Sequence, residues 1–548
     1  MASTPKPEST DDPLRRLAEL NQIGVALSQE KNLDRLLETI LLAVKKITNA
    51  DGGTLYRHPP GKNTLAFAII RNDSLGIAMG GTTGVKIPYP PIQLRDAQGR
   101  ENNSMVVAYA VLKGRTVAIA DAYQEKGFDF NGTKAFDRHT GYRSQSFLTV
   151  PMKNHADEII GVLQLINARK RTTGEIVPFS ETDQRLAESL ASQAAVALTN
   201  RLLILQLENL FESFIGLLNK AIDEKSAYTG GHCHRVPVLT MLLAEAVHET
   251  KSGPHAGWQL TDPDRYELKI AALLHDCGKV TTPVHIVDKA RKLQTIFDRI
   301  HLVDTRFEIL KRDAELAALR AGLVPGANAK TVDQPCRARL WEIQEDREFL
   351  RLCNIGGEAM TTEDQERVRA IAKKYRWRNP TGEEVDFLTA DEIENLTIRA
   401  GTLTAAERQI INHHIEVTIQ MLEALPWPRH LKNVPEYAGG HHERMDGKGY
   451  PRGLTRDQMS VQARIMGIAD IFEALTARDR PYKPGKTLTE SLHILGKMRL
   501  DGHIDPDLFD IFIRSRVYER YAKDYLDPTQ VDVVDVTKIP GYSASADD

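Results

Sequence analysis

The sequence predicts a multidomain protein: an α+β domain, a long connecting helix, and an all-α domain that carries a largely helical insertion. Three observations predict this. Before residue 200, strand-like runs alternate with Gly, Pro and Asn turns between helical stretches. Across 181–223, apolar residues keep a 4-3 spacing without a break. From 215 to about 525, β-branched alternation is scarce and helical patterning dominates.

Taken in order, residues 1–13 are rich in Pro, Ser, Thr and Asp and are expected to be a disordered tail. From about 14 to 49 the pattern is helical, through Leu17, Leu20, Ile23 and Leu27, then Leu36, Leu37, Ile40, Leu41 and Val44. Strand candidates follow as TLYRH, TLAFAII, TVAIADAY, SFLTVPMK and EIIGVLQLINA, the last two forming a hairpin across Asn154–Asp157. The first domain therefore covers about 14–200. Val196, Asn200, Leu203, Leu207, Leu210, Phe214, Leu217 and Ala221 give the 181–223 helix a coiled-coil seam, and a parallel homodimer is expected through it. The all-α domain covers about 215–536, and 537–548 is expected to be a flexible tail.

Bulk properties narrow the function classes. At 548 residues the chain is too long for one core, and two to four domains are expected. A net charge of −3, with 41% hydrophobic and 26% charged residues, gives no basic excess for nucleic acid. No apolar run approaches the roughly 18–20 residues a bilayer span needs, and the first residues lack the pattern of a signal peptide. Cys233, Cys277, Cys336 and Cys353 form no CxxC pair, so reduced thiols and a cytoplasmic location are expected, with neither nucleic acid nor membrane as partner.

The order of helix, sheet and SFLTVPMKNHADEIIGVLQLINAR resembles a GAF domain, a small-molecule sensor. Cyclic-nucleotide-binding members carry an Asn-Lys, a Phe and an Asp-Glu. Asn167, Phe179 and Asp183 match, but Ala168 and Gln184 replace the Lys and the Glu, so the resemblance implies an unknown small-molecule ligand.

Five stretches of the helical domain carry the chemistry: YTGGHCHRV (228–236), LLHDCGKV (273–280), NHHIEVT (412–418), GGHHERMDGKGYP (439–451) and IMGIADIFEALTARDRPYK (465–483). Alone, each is weak. Together, His275, Asp276, His414, His441, His442 and Asp470 supply four imidazoles and two carboxylates, too many for one tetrahedral zinc. Two ions sharing a carboxylate fit that count, and such a pair, about 3.5–4 Å apart, is suited to phosphoester hydrolysis. Lys279, four residues after His275 and three after Asp276, is expected on their helix face, where it could meet a phosphate oxygen.

HD with GK, then HHE with DG and GYP, then AD with AL and RPY resemble the HD-GYP family of metal-dependent phosphodiesterases. The resemblance covers about 215–300 and 400–520, and implies cyclic di-GMP as substrate, opened to pGpG or carried on to GMP. It implies His232, His275, Asp276, His414, His441, His442 and Asp470 as ligands of two divalent ions, iron or manganese, with Asp276 as the bridge. His275, Asp276 and Lys279 would carry catalysis, and Lys279, Tyr450, Arg480 and Lys483 would hold substrate.

Three departures from the family pattern matter. Tyr228 stands where members with a third ion have a glutamate, so two ions are expected. The segment from Asp470 to Arg480 is one residue longer than usual. The 138 residues between His275 and His414 imply an insertion at about 300–400, whose own apolar cluster is expected around Trp341, Phe349, Leu350 and Leu352. A binding-only receptor for cyclic di-GMP and a hydrolase of another cyclic dinucleotide are the alternative readings. Glu443 and Asp446 are candidates for orienting His441 and His442, and Gly447 and Gly449 for turning the loop toward Tyr450-Pro451.

Overall fold

The computed structural model describes residues 13–59, 61–225, 231–324, 329–357, 359–478 and 485–543. The chain divides into two compact units, Met1–Phe211 and Glu212–Asp548.

In the first unit, two helices, Pro13–Gln29 and Leu33–Thr48, stand where one helical pattern was read. They part at Asn32, whose side chain caps the second helix by accepting the Arg35 N–H at 3.0 Å. The strands are β1 (Ala50–Arg57), β2 (Thr64–Asn72), β3 (Ile77–Gly80), β4 (Ile92–Gln93), β5 (Val117–Ile119), β6 (Phe147–Lys153), β7 (Ile159–Arg169) and β8 (Ile176–Val177). The sheet order is β3-β2-β1-β7-β6-β5, with β4 on β2 and β8 on β7, and every pairing is antiparallel. The expected β6–β7 hairpin is present, its turn closed by the Asp157 N–H on the Asn154 carbonyl at 3.0 Å.

Alternation along the strands sends Leu55, Ile69, Leu148, Val150, Leu163 and Leu165 to one face. There they pack against Leu36, Leu37, Ile40, Leu41 and Val44, and against Leu190, Ala194 and Leu198. The opposite face is covered through Val107 and Ala108, with Phe130 packing on Phe147. Asn167 is buried with its hydrogen-bonding capacity spent on the chain beside it: its oxygen accepts the Gln145 and Ser146 N–H groups, and its amide donates to Tyr142 and to the Arg143 carbonyl. Asp183 is occupied likewise, accepting from the Ser180 backbone and hydroxyl at the start of the next helix.

That helix, Glu181–Lys225, is 45 residues, about 68 Å at 1.5 Å per residue. Leu203 (46%), Leu207 (64%), Leu210 (65%), Phe214 (58%) and Leu217 (61%) are exposed along the 4-3 seam. The sequence alone showed no run fit to span a bilayer. Yet by length and composition this helix passes that test, the only one to do so among the described residues.

The second unit is helical. Asp262–Leu274 leads to the HD pair, Ala405–Glu423 carries His414, Val434–Gly439 precedes His441, and Val461–Thr476 carries Asp470. Between the first two lie Ile300–Gly322, Ala329–Cys353, Thr362–Lys374, a two-stranded hairpin (Arg376–Arg378 with Glu384–Asp386) and Ala390–Leu396. This insertion has its own core of Val303, Phe307, Leu350, Val368, Tyr375 and Phe387. Leu350 is in it and Phe349 packs against it, but Trp341 (65% exposed) and Leu352 (67%) are outside. The cluster expected around those four residues is thus corrected: the aromatic centre is supplied from three separate elements.

The expected tail at 1–13 lies outside the described residues except for Pro13. At the other end, Ile539 is buried and the Pro540 carbonyl lies against Gly496, so 537–543 pack on the unit and are not a free tail. Residues 544–548 lie outside the described part.

Candidate metal centre

Five segments distant in sequence converge. Thr261 caps Asp262–Leu274 through a capping box with Asp264, and the helix ends at His275. Asp276 then leaves helical geometry, and Cys277–Thr281 form a 3-10 turn. Lys279 therefore reaches Asp276 from that turn, with Nζ at 2.6 Å from Oδ2, and not along a continuing helix face. The turn can lie against Ala405–Glu423 because residue 278 is glycine. A Cβ there would stand 2.0 Å from the His414 carbonyl oxygen and 2.7 Å from Thr418 N. The Gly278 N–H donates to the Thr418 hydroxyl at 2.9 Å across the same contact.

Asp276 has one oxygen toward each of two groups. Oδ2 lies 3.2 Å from His232 Nε2 and 3.3 Å from His275 Nε2, while Oδ1 lies 3.1 Å from His414 Nε2. Asp470 Oδ1 stands 3.1 Å from His232 Nε2 and 3.8 Å from His275 Nε2. His441 packs edge-on to His275 with ring centres 4.9 Å apart, and His442 lies beside His441 at 4.2 Å. Two sets can hold a cation, His232–His275–Asp276 and His414–His441–His442, with the ligand atoms of each within 4.8 Å of one another.

Backbone carbonyls fix the tautomers. His275 donates Nδ1–H to Ala272 at 2.8 Å, His441 donates to Ala438 at 2.6 Å, and His414 donates to Ile411. A carbonyl can only accept, so each Nδ1 carries a proton, and in the neutral ring each Nε2 presents a lone pair. His414 Nε2, His441 Nε2 and Asp276 Oδ1 are buried and have no hydrogen-bond partner among the described residues. A nitrogen lone pair thus faces a carboxylate oxygen at 3.1 Å, an arrangement that a cation between them would resolve.

The electrostatics divide the ligand set: on His232 burial acts downward, but hydrogen bonds with Asp276, Asp470 and Glu473 prevail and raise it well above the ordinary imidazole range. Burial, with little to offset it, pushes His441 well below the ordinary imidazole range and His442 down to about 4, so both are neutral near pH 7. For Asp276, burial acts upward, but the Lys279 ammonium prevails and holds its carboxyl well below the usual range. Burial also opposes ionisation of Asp470, and His232 outweighs it. Lys279, despite burial, is raised by Asp276 and stays cationic.

The other candidates separate plainly. His413 is exposed and pairs with Glu416 at 2.7 Å, while His414 points inward. His234 is exposed, and Cys277 is buried with its thiol pushed up to about 11 by desolvation. Glu443 accepts the Arg452 and Leu454 N–H groups at 2.7 and 2.9 Å, and Asp446 pairs with Arg444 at 2.8 Å. Among the described residues neither carboxylate is hydrogen-bonded to His441 or His442, which corrects the expectation that they orient those rings. Glu443 instead clasps the chain just past Tyr450-Pro451, whose peptide bond is cis.

Gly449 makes that loop possible: a Cβ there would lie 2.5 Å from Glu443 Cα. Gly447 has φ +75°, in the left-handed region. Tyr450 is half-buried and stacks on His442 with ring centres 4.9 Å apart at 24°. Tyr228, Arg480 and Lys483 lie outside the described residues.

Sequence reasoning missed Glu473, fully buried one turn after Asp470, which accepts from His232 Nδ1 and from Arg235 Nε at 2.6 Å. The available signal was its spacing of three from Asp470 on one helix. A further group, His255, Asp505 and Asp507, also lies within ligand range. Its carboxylates are already spent: Asp505 caps Pro506–Arg514 and pairs with Arg456 and Arg464, and Asp507 pairs with Arg456.

Comparison with known proteins gives a GAF domain match over residues 32–198 and HD domain matches over 229–340 and 361–508. A 3'3'-cGAMP-specific phosphodiesterase of Vibrio cholerae is 36% identical over 125 residues, 22% of this chain and 27% of that protein. A cyclic di-GMP phosphodiesterase of Pseudomonas aeruginosa is 34% identical over 117 residues, 21% of this chain and 27% of that protein. The chain spans about a quarter of the length of these curated relatives. Among solved structures, the GAF domain of a phosphoenolpyruvate-protein phosphotransferase from Coxiella burnetii matches with 13% identity and a TM-score of 0.27, covering 35% of this chain and 96% of that one.

Proposed function

For a chain that joins an N-terminal GAF domain to an HD-type phosphohydrolase domain, we propose a metal-dependent phosphodiesterase that hydrolyses cyclic di-GMP to pGpG or GMP under control of the GAF domain. The observation that carries the reading is the pair His414 Nε2 and Asp276 Oδ1, buried and facing each other at 3.1 Å. His232, His275 and Asp470 would hold one divalent ion and His414, His441 and His442 the other, with Asp276 bridging. The mixture of imidazole and carboxylate suits iron or manganese. When bound, the ions supply polarisation of the phosphate and activation of a water.

The chain's own residues do the rest. Lys279, kept cationic by Asp276, is placed to receive a non-bridging phosphate oxygen. The Tyr450 ring, stacked on His442, offers an edge of the pocket to a guanine. Arg480 and Lys483 belong to the substrate set by resemblance. The GAF domain would take a small-molecule ligand, and the exposed seam of Glu181–Lys225 would pair with a second copy, giving a cytoplasmic homodimer.

A second reading, hydrolysis of a mixed cyclic dinucleotide, is favoured by the Vibrio match. The test is to incubate the manganese-loaded full chain with cyclic di-GMP and, separately, with 3'3'-cGAMP, beside a His275→Ala, Asp276→Ala variant. Linear product from cyclic di-GMP with the wild type alone is expected. Product from 3'3'-cGAMP only supports the second reading, and no product from either overturns both.

A further inference from the structure

We propose that Glu473 is a positioning residue for the metal centre, acting through His232; this rests on the phosphodiesterase reading above. His275, His414 and His441 give their Nδ1 protons to neutral carbonyls, whereas His232 gives its proton to a carboxylate. That carboxylate is fully buried and 241 residues away in sequence. It is fixed from behind, since Glu473 Oε1 accepts Arg235 Nε at 2.6 Å, leaving Oε2 for His232.

The consequence for His232 is geometric and electronic. With Nδ1 tied to Glu473, Nε2 is turned into the space between Asp276 Oδ2 at 3.2 Å, Asp470 Oδ1 at 3.1 Å and His275 Nε2 at 3.3 Å. A carboxylate on Nδ1–H also makes the opposite nitrogen a better donor than a carbonyl does. His232 starts its helix behind Gly231, whose cap offers no side-chain bond, so among the described residues the cap does not set the ring. Glu473 does so from the helix that carries Asp470, and one helix thereby supplies both a ligand and the anchor of another.

The test uses the full chain and manganese alone, stripped with chelator and then titrated. Glu473→Gln cannot serve both Arg235 and His232 as an acceptor with one amide. The expected result is a 10–100-fold loss of affinity for one of two ions, the other held within about threefold, while Arg235→Gln loses less. Glu473→Asp, which keeps the charge, is expected to recover part of the loss. A folded Glu473→Gln variant that binds both ions within twofold of wild type overturns the proposal.

Should that variant not fold, the wild type decides: in metal-free protein labelled with 15N-histidine, His232, assigned by loss of its signals in His232→Gln, must carry a proton on Nδ1. A bare Nδ1 overturns the proposal. Wild type that binds manganese but hydrolyses no dinucleotide sinks the proposed function and leaves this inference intact. Wild type that binds no ion overturns both.

Discussion

Gly278→Ala is a one-carbon change in the HD turn whose effect can be worked from the geometry. The φ of Gly278 lies outside the left-handed region, so alanine meets no backbone penalty of its own. Its cost is contact. The new Cβ would stand 2.0 Å from the His414 carbonyl and 2.7 Å from both N and Oγ1 of Thr418. Two of those atoms are backbone in the middle of a helix, so the turn and the helix must part by about 1 Å or more, an overpacking cost of about 1–3 kcal/mol. The Gly278–Thr418 hydrogen bond stretches as well, adding about 1 kcal/mol. The same movement draws His414 from Asp276, now 3.1 Å apart, whereas metal–ligand distances tolerate about 0.2 Å. The variant should therefore melt earlier and lose at least one ion, measured by thermal unfolding with and without manganese and by elemental analysis. A Gly278→Ala protein with wild-type melting and full metal content would show that the turn and the helix are not held at this contact.

Further outcomes follow from the same structure. Lys289→Met should destabilise the protein by about 3–5 kcal/mol in urea unfolding, because the buried Lys289 ammonium meets Glu407 at 2.7 Å and Asn395 at 2.7 Å. Replacing Leu207, Leu210 and Leu217 with Asn should convert the proposed dimer to a single-chain mass in analytical ultracentrifugation, without lowering metal content. Tyr450→Ala should raise KM more than it lowers kcat in a dinucleotide assay, since the ring stacks on His442 and none of its atoms is a proposed ligand. Chelation should lower the melting temperature, with recovery on adding manganese in proportion to the logarithm of its concentration.

The candidate site was legible because its residues stand in short local doublets. His275-Asp276 and His441-His442 are each adjacent in sequence, and the count of nitrogens and carboxylates across the stretches fits two ions better than one tetrahedral zinc. The sensor fold was legible for a similar reason, since period-two runs and their turns are local. What escaped depended on distant partners. Gly278 is one glycine among 37 until His414, far along the chain, is packed against it. Glu473 reads as an ordinary helical glutamate until His232 reaches it from another helix. Glu443 looked like a histidine partner by proximity, but the loop folds back so that its carboxylate meets Arg452 and Leu454. Trp341 looked like an anchor by residue type, whereas Phe307, Tyr375 and Phe387 close the inserted core without it.

The central claim is a two-ion centre bridged by Asp276, and the most direct measurement is elemental analysis of the full chain beside His414→Ala and His275→Ala, Asp276→Ala. Two ions per chain are expected in the wild type, one in His414→Ala and none in the double variant. A folded wild type that retains one ion or fewer per chain after loading with iron or manganese, or a double variant that retains both, would overturn the two-ion centre.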